Sequence, residues 1–189
     1  VLDEHRNLIF ASFGEIIESH MAAVEFVRDS IEVKVPRKFK IVVTSAAGYP
    51  LDRTYYQTVK GMVTPIDILD EGGVLMIVSE CGEGIGSDEF RAAQTRLVGL
   101  GPEAFLETLT QKTLADIDEW QTEMQLKPMR IGSIVLVSPL LSETDRKVTG
   151  VECRDELNAA LREVLARTGV REIAIVPEGP YVVPFHEAA

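Results

Sequence analysis

The stretch VVTSAAGYPLDRTYYQTVKGM, residues 42–62, decides the fold because it runs from an apolar strand through a Gly-Tyr-Pro turn into a helix. Polar side chains that follow a strand in this way lie at the carboxyl edge of a sheet, where open α/β proteins bind ligands. Tyr56, Gln57 and Lys60 recur at helical spacing and therefore share one helix face. A phenol, an amide and a cation on one face can hold a carboxylate.

Spacing alone leaves a second interpretation of this helix open. Tyr56 can pack into the core while Gln57 and Lys60 are solvated, as long polar side chains on helices usually are. Asp52 precedes the helix, and its carboxylate is expected to cap the first turn by accepting backbone N–H groups. That role is structural and needs no ligand.

The rest of the chain alternates apolar strand patterns with helical ones. Predicted strands cover residues 8–13, 31–35, 40–45, 74–79, 133–138, 148–152 and 172–176. Predicted helices cover residues 16–30, 54–62, 87–98, 102–111, 114–126 and 155–168, with Pro128 just past the end of the fifth. This alternation predicts an α/β fold with a mainly parallel sheet covered on both faces.

The composition and net charge of the chain restrict which classes of molecule it can bind. The chain has 189 residues, 46% of them hydrophobic, and a net charge of -11 with a pI near 4.8. Such a charge repels nucleic acid and anionic lipid, so we expect neither as a partner. No apolar run is long enough to span a bilayer, and the first residues are neither a signal peptide nor an initiator methionine. We expect a cytoplasmic protein and a piece of a longer chain.

No residue pattern predicts a metal or nucleotide site. Cys81 and Cys153 are far apart, and His5, His20 and His186 have no partner at ligand spacing. The glycines of residues 81–86 alternate as G-x-G-x-G rather than as the G-x-G-x-x-G of dinucleotide-binding proteins. We therefore expect reduced thiols, with Cys81 buried and inert, and a tight strand-to-helix turn near the ligand cleft.

The motif Thr-Ser-Ala-Ala-Gly-Tyr-Pro-Leu-Asp at residues 44–52, followed by Tyr56-Gln57 and Lys60-Gly61-Met62, resembles the C-terminal half of the nickel-dependent lactate racemase family. Pro-Glu-Gly-Pro-Tyr at residues 177–181 and Glu-Gly-Gly at residues 71–73 agree with that likeness, which covers nearly the whole chain. The resemblance implies a two-lobed enzyme. Its nickel-pincer nucleotide takes a hydride from C2 of a 2-hydroxy acid and returns it, while histidines of the N-terminal lobe act as acid and base.

The sequence departs from the family pattern because it does not contain that N-terminal lobe. The tethering lysine, the nickel-ligating histidine and the acid/base pair are absent with it, so no residue here is expected to be catalytic or to bind metal, and the isolated chain is expected to be inactive. The resemblance implies a Rossmann-like C-terminal lobe at residues 37–176. Residues 1–36 would belong to the N-terminal lobe or linker, and residues 177–189 would form a tail that returns toward that lobe.

The resemblance implies substrate contacts from this lobe. Lys60 and Gln57 would receive the carboxylate or neighbouring oxygens of a small 2-hydroxy acid, with Tyr56 as a wall or hydrogen-bond donor. Trp120 would lie close to the substrate as well, although its spacing with Ile117 and Met124 equally suits a buried helix face. Two other functions stay open: an epimerase or racemase of another 2-hydroxy or sugar acid, and a non-catalytic α/β ligand-binding domain.

Overall fold

A computed structural model of the protein describes residues 1–3 and 5–187. Its helices are α1 (Ile16–Ile31), α2 (Tyr55–Val63), α3 (Asp88–Leu100), α4 (Pro102–Thr110), α5 (Glu119–Ile131), α6 (Glu143–Arg146) and α7 (Leu157–Thr168). Its strands are β1 (Glu32–Lys34), β2 (Phe39–Ser45), β3 (Leu69–Val78), β4 (Gly132–Val137), β5 (Glu152–Arg154), β6 (Ala174–Val176) and β7 (Val183–Phe185). Two short 3₁₀ helices, Thr64–Ile68 and Gly179–Tyr181, complete the chain.

The main sheet has five strands in the order β5-β4-β3-β2-β6, and every pair in it is parallel. The predicted α/β fold with a mainly parallel sheet is therefore confirmed. From β2 the chain builds outward through β3, β4 and β5, and then returns to place β6 on the other side of β2. The direction of winding reverses between β2 and β6, which is where open sheets form a ligand crevice at their carboxyl ends.

Side chains alternate between two apolar cores, one on each face of the sheet. Val42 points into the core beneath α2, α3 and α5, whereas its neighbours Ile41 and Val43 point into the core that α7 covers. All three are buried. Each fully buried aliphatic side chain stabilises the fold by about 1.5–3 kcal/mol, so the central strands need apolar residues at every position.

Some local predictions are wrong. Residues 8–13 form no strand, apart from an isolated bridge between Leu2 and Leu8. The fifth helix begins at Glu119 rather than at residue 114, and it continues through Pro128 to Ile131. The strand predicted at residues 148–152 lies instead at β5. Pro128 is buried, and its packing outweighs the lost backbone hydrogen bond that normally ends a helix at proline.

The two terminal segments come together beside the main sheet. Strand β1 pairs in parallel with β7, and the Lys34 ammonium bonds the Glu187 carboxylate across that pair. Helix α1 buries none of its residues within the chain. Residues 188 and 189 of the predicted tail lie outside the described residues, and the domain boundaries stay a prediction.

Among the described residues, no helix combines the length and the apolar character that crossing a membrane requires.

Candidate functional site

The turn after β2 joins the carboxyl ends of β2 and β6. Ser45 Oγ accepts a hydrogen bond from the Ala47 backbone N–H at 2.9 Å and donates one to the Pro177 carbonyl, which follows β6. Ala47 and Gly48 both have left-handed backbone, with φ of 62° and 71°, and the Tyr49–Pro50 peptide is cis. These bonds hold the turn at the reversal point of the sheet, directly before α2.

Helix α2 is fixed at its first turn by its own cap residue and by one neighbouring loop. Thr54, not the predicted Asp52, caps it: Thr54 Oγ1 accepts from the Gln57 N–H at 3.4 Å. Tyr55 and Tyr56 are the first two residues of the helix, and their N–H groups donate at 2.9 Å to the carbonyls of residues 84 and 85, respectively. Asp52 lies two residues before that cap position and does not cap the helix. The glycine-rich loop of residues 81–86 thus supports the start of α2, and it also donates N–H groups to the carbonyls of residues 52 and 53 just before the helix.

Three of the four predicted substrate-contacting residues lie next to one another. Lys60 Nζ is 5.8 Å from the centroid of the Tyr56 ring. The Tyr56 ring meets the Trp120 ring edge-on, with the centroids 6.1 Å apart and the planes at 88°. We call Lys60, Tyr56 and Trp120 the aromatic-lysine row. The structure brings them together across 64 residues of sequence, from Tyr56 to Trp120.

The row is accessible from solvent. Lys60 is exposed, Trp120 is 49% exposed and Tyr56 is half-buried. Ile117 is exposed as well, so the interpretation of Ile117 and Trp120 as a buried helix face is wrong. No described aspartate or glutamate lies within ion-pairing distance of Lys60, which leaves its ammonium able to meet an anion.

Gln57 adjoins the row on the same helix. Its side-chain oxygen Oε1 is buried and accepts no hydrogen bond from the described residues. A buried amide oxygen without a donor costs free energy, so Gln57 is an unsatisfied acceptor on the helix that bears Lys60 and Tyr56.

Asp118, which the sequence analysis did not single out, precedes Trp120 of the row by two residues. It occupies the N-cap position of α5 with left-handed backbone, and its Oδ2 accepts a hydrogen bond from Ser87 Oγ at 2.6 Å. Burial, together with the negative charge of Asp118 and a hydrogen bond to its carboxylate, raises the pKa of Tyr56. Tyr56 is therefore neutral at physiological pH. In the sequence, Asp118 is an acidic residue directly before a helical pattern, and that pattern suggests a helix cap.

A buried carboxylate anchors the same end of α5. Glu119 accepts hydrogen bonds from Arg96 Nη1 at 2.6 Å and from Lys112 Nζ at 2.7 Å, and its side chain is 3% exposed. Burial acts to raise the pKa of Glu119, but the hydrogen bonds from Lys112 and Arg96 outweigh it and hold that pKa below its ordinary value. This ion-pair cluster ties α3, the α4–α5 loop and α5 together beside Trp120.

The described part of the chain contains no group of three His, Cys, Asp or Glu side chains that could hold a metal ion. Cys81 and Cys153 are both free thiols, and Cys81 is buried. Burial raises the pKa of Cys153. We therefore assign no step through a metal to the described side chains.

Fold and site together define a class of protein: a parallel α/β lobe with a cation and aromatic side chains beside the carboxyl edge of its sheet. A family profile described as "Lactate racemase C-terminal domain" matches residues 35–183. The chain belongs to the lactate racemase family and represents its C-terminal part.

Two lactate racemases are similar in sequence to this chain, and the aligned stretches differ in length. The lactate racemase of Lactiplantibacillus plantarum is 26% identical over 188 residues, which cover 97% of this chain and 43% of the relative. The lactate racemase of Thermoanaerobacterium thermosaccharolyticum is 37% identical over 90 residues, 48% of this chain and 21% of the relative. The chain thus spans less than half the length of these relatives.

Solved structures show the same fold. The lactate racemase apoprotein from Thermoanaerobacterium thermosaccharolyticum superimposes with a TM-score of 0.86 at 23% identity, over 97% of this chain and 44% of that one. A protein from Thermotoga maritima superimposes with a TM-score of 0.58 at 10% identity, over 90% of this chain and 42% of that one.

Proposed function

We propose that this chain is the C-terminal lobe of a two-lobed racemase of small 2-hydroxy acids, and that its aromatic-lysine row and Gln57 contact the substrate. The observation that carries the proposal is the meeting of Lys60, Tyr56 and Trp120 on one accessible surface, where no described carboxylate forms an ion pair with the lysine. Membership in the lactate racemase family supports the reaction class.

The chemistry of the row suits a short hydroxy acid. The Lys60 ammonium attracts a carboxylate and can donate hydrogen bonds to it. Tyr56 and Trp120 present flat apolar surfaces that exclude water from a small carbon skeleton while the phenol and indole N–H keep polar edges available. Substrate size depends on walls from both lobes, so a lactate-sized acid is the expected substrate and larger 2-hydroxy acids are its competitors.

The reaction itself would take place against the N-terminal lobe. The nickel-pincer nucleotide that the family resemblance implies would be held there and would supply hydride abstraction from C2 and its return. The present chain would bind and orient the acid and would close the site to water. We therefore propose that the isolated chain has no racemase activity.

The exposed apolar surface at the N-terminal end supports a second lobe as partner. Side chains that lie on or near α1 are largely exposed, namely Leu8, Phe13, Ile16, Ile17 and Met21. Beside them lies an open groove of about 530 Å³. A contiguous apolar area of this kind on a soluble protein marks a contact surface, and the relatives contain more than half their length outside the matched region.

Lys60→Ala in the complete protein that carries this chain tests the proposal. Loss of a charge-assisted hydrogen bond of about 1.5–3 kcal/mol predicts that kcat/KM for lactate racemisation falls about 10-fold to 100-fold. Lys60→Arg should retain part of the activity, because it keeps the charge. The matched control is Lys127→Ala, which removes an exposed lysine from α5. Wild-type kinetics for Lys60→Ala would contradict the substrate contact.

Racemisation of a panel of 2-hydroxy acids by the complete protein tests the substrate class. Lactate should give the largest kcat/KM. A preference for a sugar acid would overturn the lactate assignment, and the absence of racemisation with every acid would overturn the racemase assignment.

A further inference from the structure

Gln121 is a polar side chain in a place where an apolar one would ordinarily pack. It lies in the first turn of α5 and is fully buried. Its side-chain oxygen Oε1 is buried as well and accepts no hydrogen bond from the described residues. A buried amide that is only half satisfied costs free energy, and an apolar side chain of similar size avoids that cost. The presence of glutamine at this position therefore has a reason other than stability.

The nitrogen of the same amide bonds α2. Gln121 Nε2 donates a hydrogen bond to the backbone carbonyl of Tyr56 at 2.8 Å, across 65 residues of sequence. Because only the nitrogen of an amide side chain can donate to a carbonyl, the partner determines which way the amide points. In a regular α-helix the carbonyl of residue 56 also accepts from the N–H of residue 60. Gln121 is thus bonded to the helical turn that carries both Tyr56 and Lys60.

The first turn of α5 also carries Trp120, directly before Gln121. Successive side chains of a helix point about 100° apart, so Trp120 lies at the edge of the interface when Gln121 is buried against α2. There its ring is 49% exposed and meets the Tyr56 ring edge-on, with the centroids 6.1 Å apart. The bond from Gln121 to the Tyr56 carbonyl and the contact of the two rings therefore join the same two turns.

We propose that Gln121 is a positioning residue: its bond to the Tyr56 carbonyl holds the first turn of α5 against α2 and so places Trp120 against Tyr56 as one wall of the substrate site. This inference rests on the proposed function, since it takes Tyr56 and Trp120 to contact substrate. Gln121 is fully buried and touches no substrate. Its effect on the reaction passes through the place of Trp120.

Gln121→Met in the complete protein removes the bond and keeps an unbranched side chain of similar length. The thermal unfolding midpoint should stay the same or rise, because the Tyr56 carbonyl retains its helical hydrogen bond and the unsatisfied Oε1 is gone. The value of kcat/KM for lactate should nevertheless fall about ten-fold, because the aromatic wall moves relative to Lys60. A merely structural residue would lose stability and activity together.

Thr122→Val is the matched control. Thr122 follows Gln121, is equally buried, and its hydroxyl oxygen also has no partner among the described residues. Valine keeps the shape of threonine and removes the unsatisfied oxygen, but it breaks no bond to α2. We expect wild-type kcat/KM and an unchanged or higher midpoint for this variant.

Trp120→Ala tests the route of the effect in a double-mutant cycle. By itself it should lower kcat/KM at least as much as Gln121→Met does, because it removes the side chain that Gln121 places. In the double variant, Gln121→Met should add little further loss, since the residue that it would displace is already absent.

Four results would overturn the inference: wild-type kinetics for Gln121→Met, wild-type kinetics for Trp120→Ala, losses that multiply in the double variant, or an equal loss for Thr122→Val. A loss of folding in both Gln121→Met and Gln121→Leu would overturn it too, because it would make Gln121 a requirement of the fold. If Gln121→Met matches the wild type while Lys60→Ala and Trp120→Ala are impaired, the positioning role fails and the proposed function stands. If Lys60→Ala and Trp120→Ala both match the wild type, the proposed function fails as well.

Discussion

Gly61 of α2 lies directly against the end of β2: a Cβ placed on it would be 2.8 Å from the Ser45 carbonyl oxygen. That distance is shorter than non-bonded contacts allow, so the glycine sets how closely α2 approaches the sheet. Because Lys60 precedes Gly61 and Gln57 lies one turn earlier, the same contact determines where the predicted substrate-binding side chains stand.

Gly61→Ala should therefore push α2 away from the sheet edge. We expect a destabilisation of about 1–3 kcal/mol, the usual cost of forcing an extra methyl group into a packed interface. Urea unfolding followed by circular dichroism measures it. Gly99→Ala is the matched control: Gly99 is also helical, but no atom lies within 4 Å of its added Cβ, so its variant should gain up to about 1 kcal/mol. Equal effects of the two variants would contradict the close contact.

Removing the buried hydroxyl of Tyr55 should have a modest effect on stability. The Tyr55 hydroxyl donates to Gln125 Oε1 at 3.0 Å and lies 3.1 Å from the Thr149 carbonyl. Each of those acceptors has another donor, from the side chains of Gln94 and Gln125. Tyr55→Phe should therefore destabilise by about 1 kcal/mol, the net value of one hydrogen bond.

Tyr49→Phe is the control for that comparison, because Tyr49 is 79% exposed and its variant should stay within about 0.5 kcal/mol of the wild type. Chemical denaturation of both variants gives the difference. A loss above about 3 kcal/mol for Tyr55→Phe would mean that the two acceptors are not satisfied as described.

The Glu119 cluster predicts a specific dependence of stability on pH. The pKa of Glu119 in the folded chain lies below its ordinary value of 4.5. Its stabilisation is thus complete above about pH 4.5 and is lost as the pH falls through the folded pKa. Glu119→Gln should cost about 1–3 kcal/mol at neutral pH, since Arg96 and Lys112 lose their shared partner.

The difference in unfolding free energy between wild type and Glu119→Gln should shrink as the pH is lowered below 4.5, because acid protonates the wild-type carboxylate. Glu123→Gln, on the exposed side of the same helix, should show no such convergence. A pH-independent difference for Glu119→Gln would show that the carboxylate charge is not the source of the stabilisation.

The exposed apolar surface around α1 predicts self-association of the isolated chain. Ile16 and Ile17 are 86% and 76% exposed. Their joint replacement by lysine should reduce association in sedimentation velocity experiments, and in the complete protein it should lower the thermal unfolding midpoint by disturbing the contact between lobes. Leu114→Lys, at an 83% exposed position elsewhere, should do neither. Equal behaviour of the two variants would remove the argument for this contact surface.

Much of the fold could be predicted from the sequence because its signals are local. The apolar strand at residues 40–45 and the helix that follows appear as β2 and α2 within a residue or two. Helix α5 was displaced in the prediction, because Pro128 is usually a terminator and only its burial against neighbouring elements permits the helix to continue. Thr54 replaced Asp52 as the cap for a similar reason: the cap position depends on where contacts with residues 84 and 85 begin the helix.

The sequence by itself determined the parallel α/β class, the helix face that bears Tyr56, Gln57 and Lys60, and the family likeness of residues 44–62, since each depends on side chains close together along the chain. The tertiary structure decided the rest. It placed β6 beside β2 and brought Trp120 against Tyr56. Those contacts join distant segments, and only the packing of α5 on α2 across the finished sheet determines them.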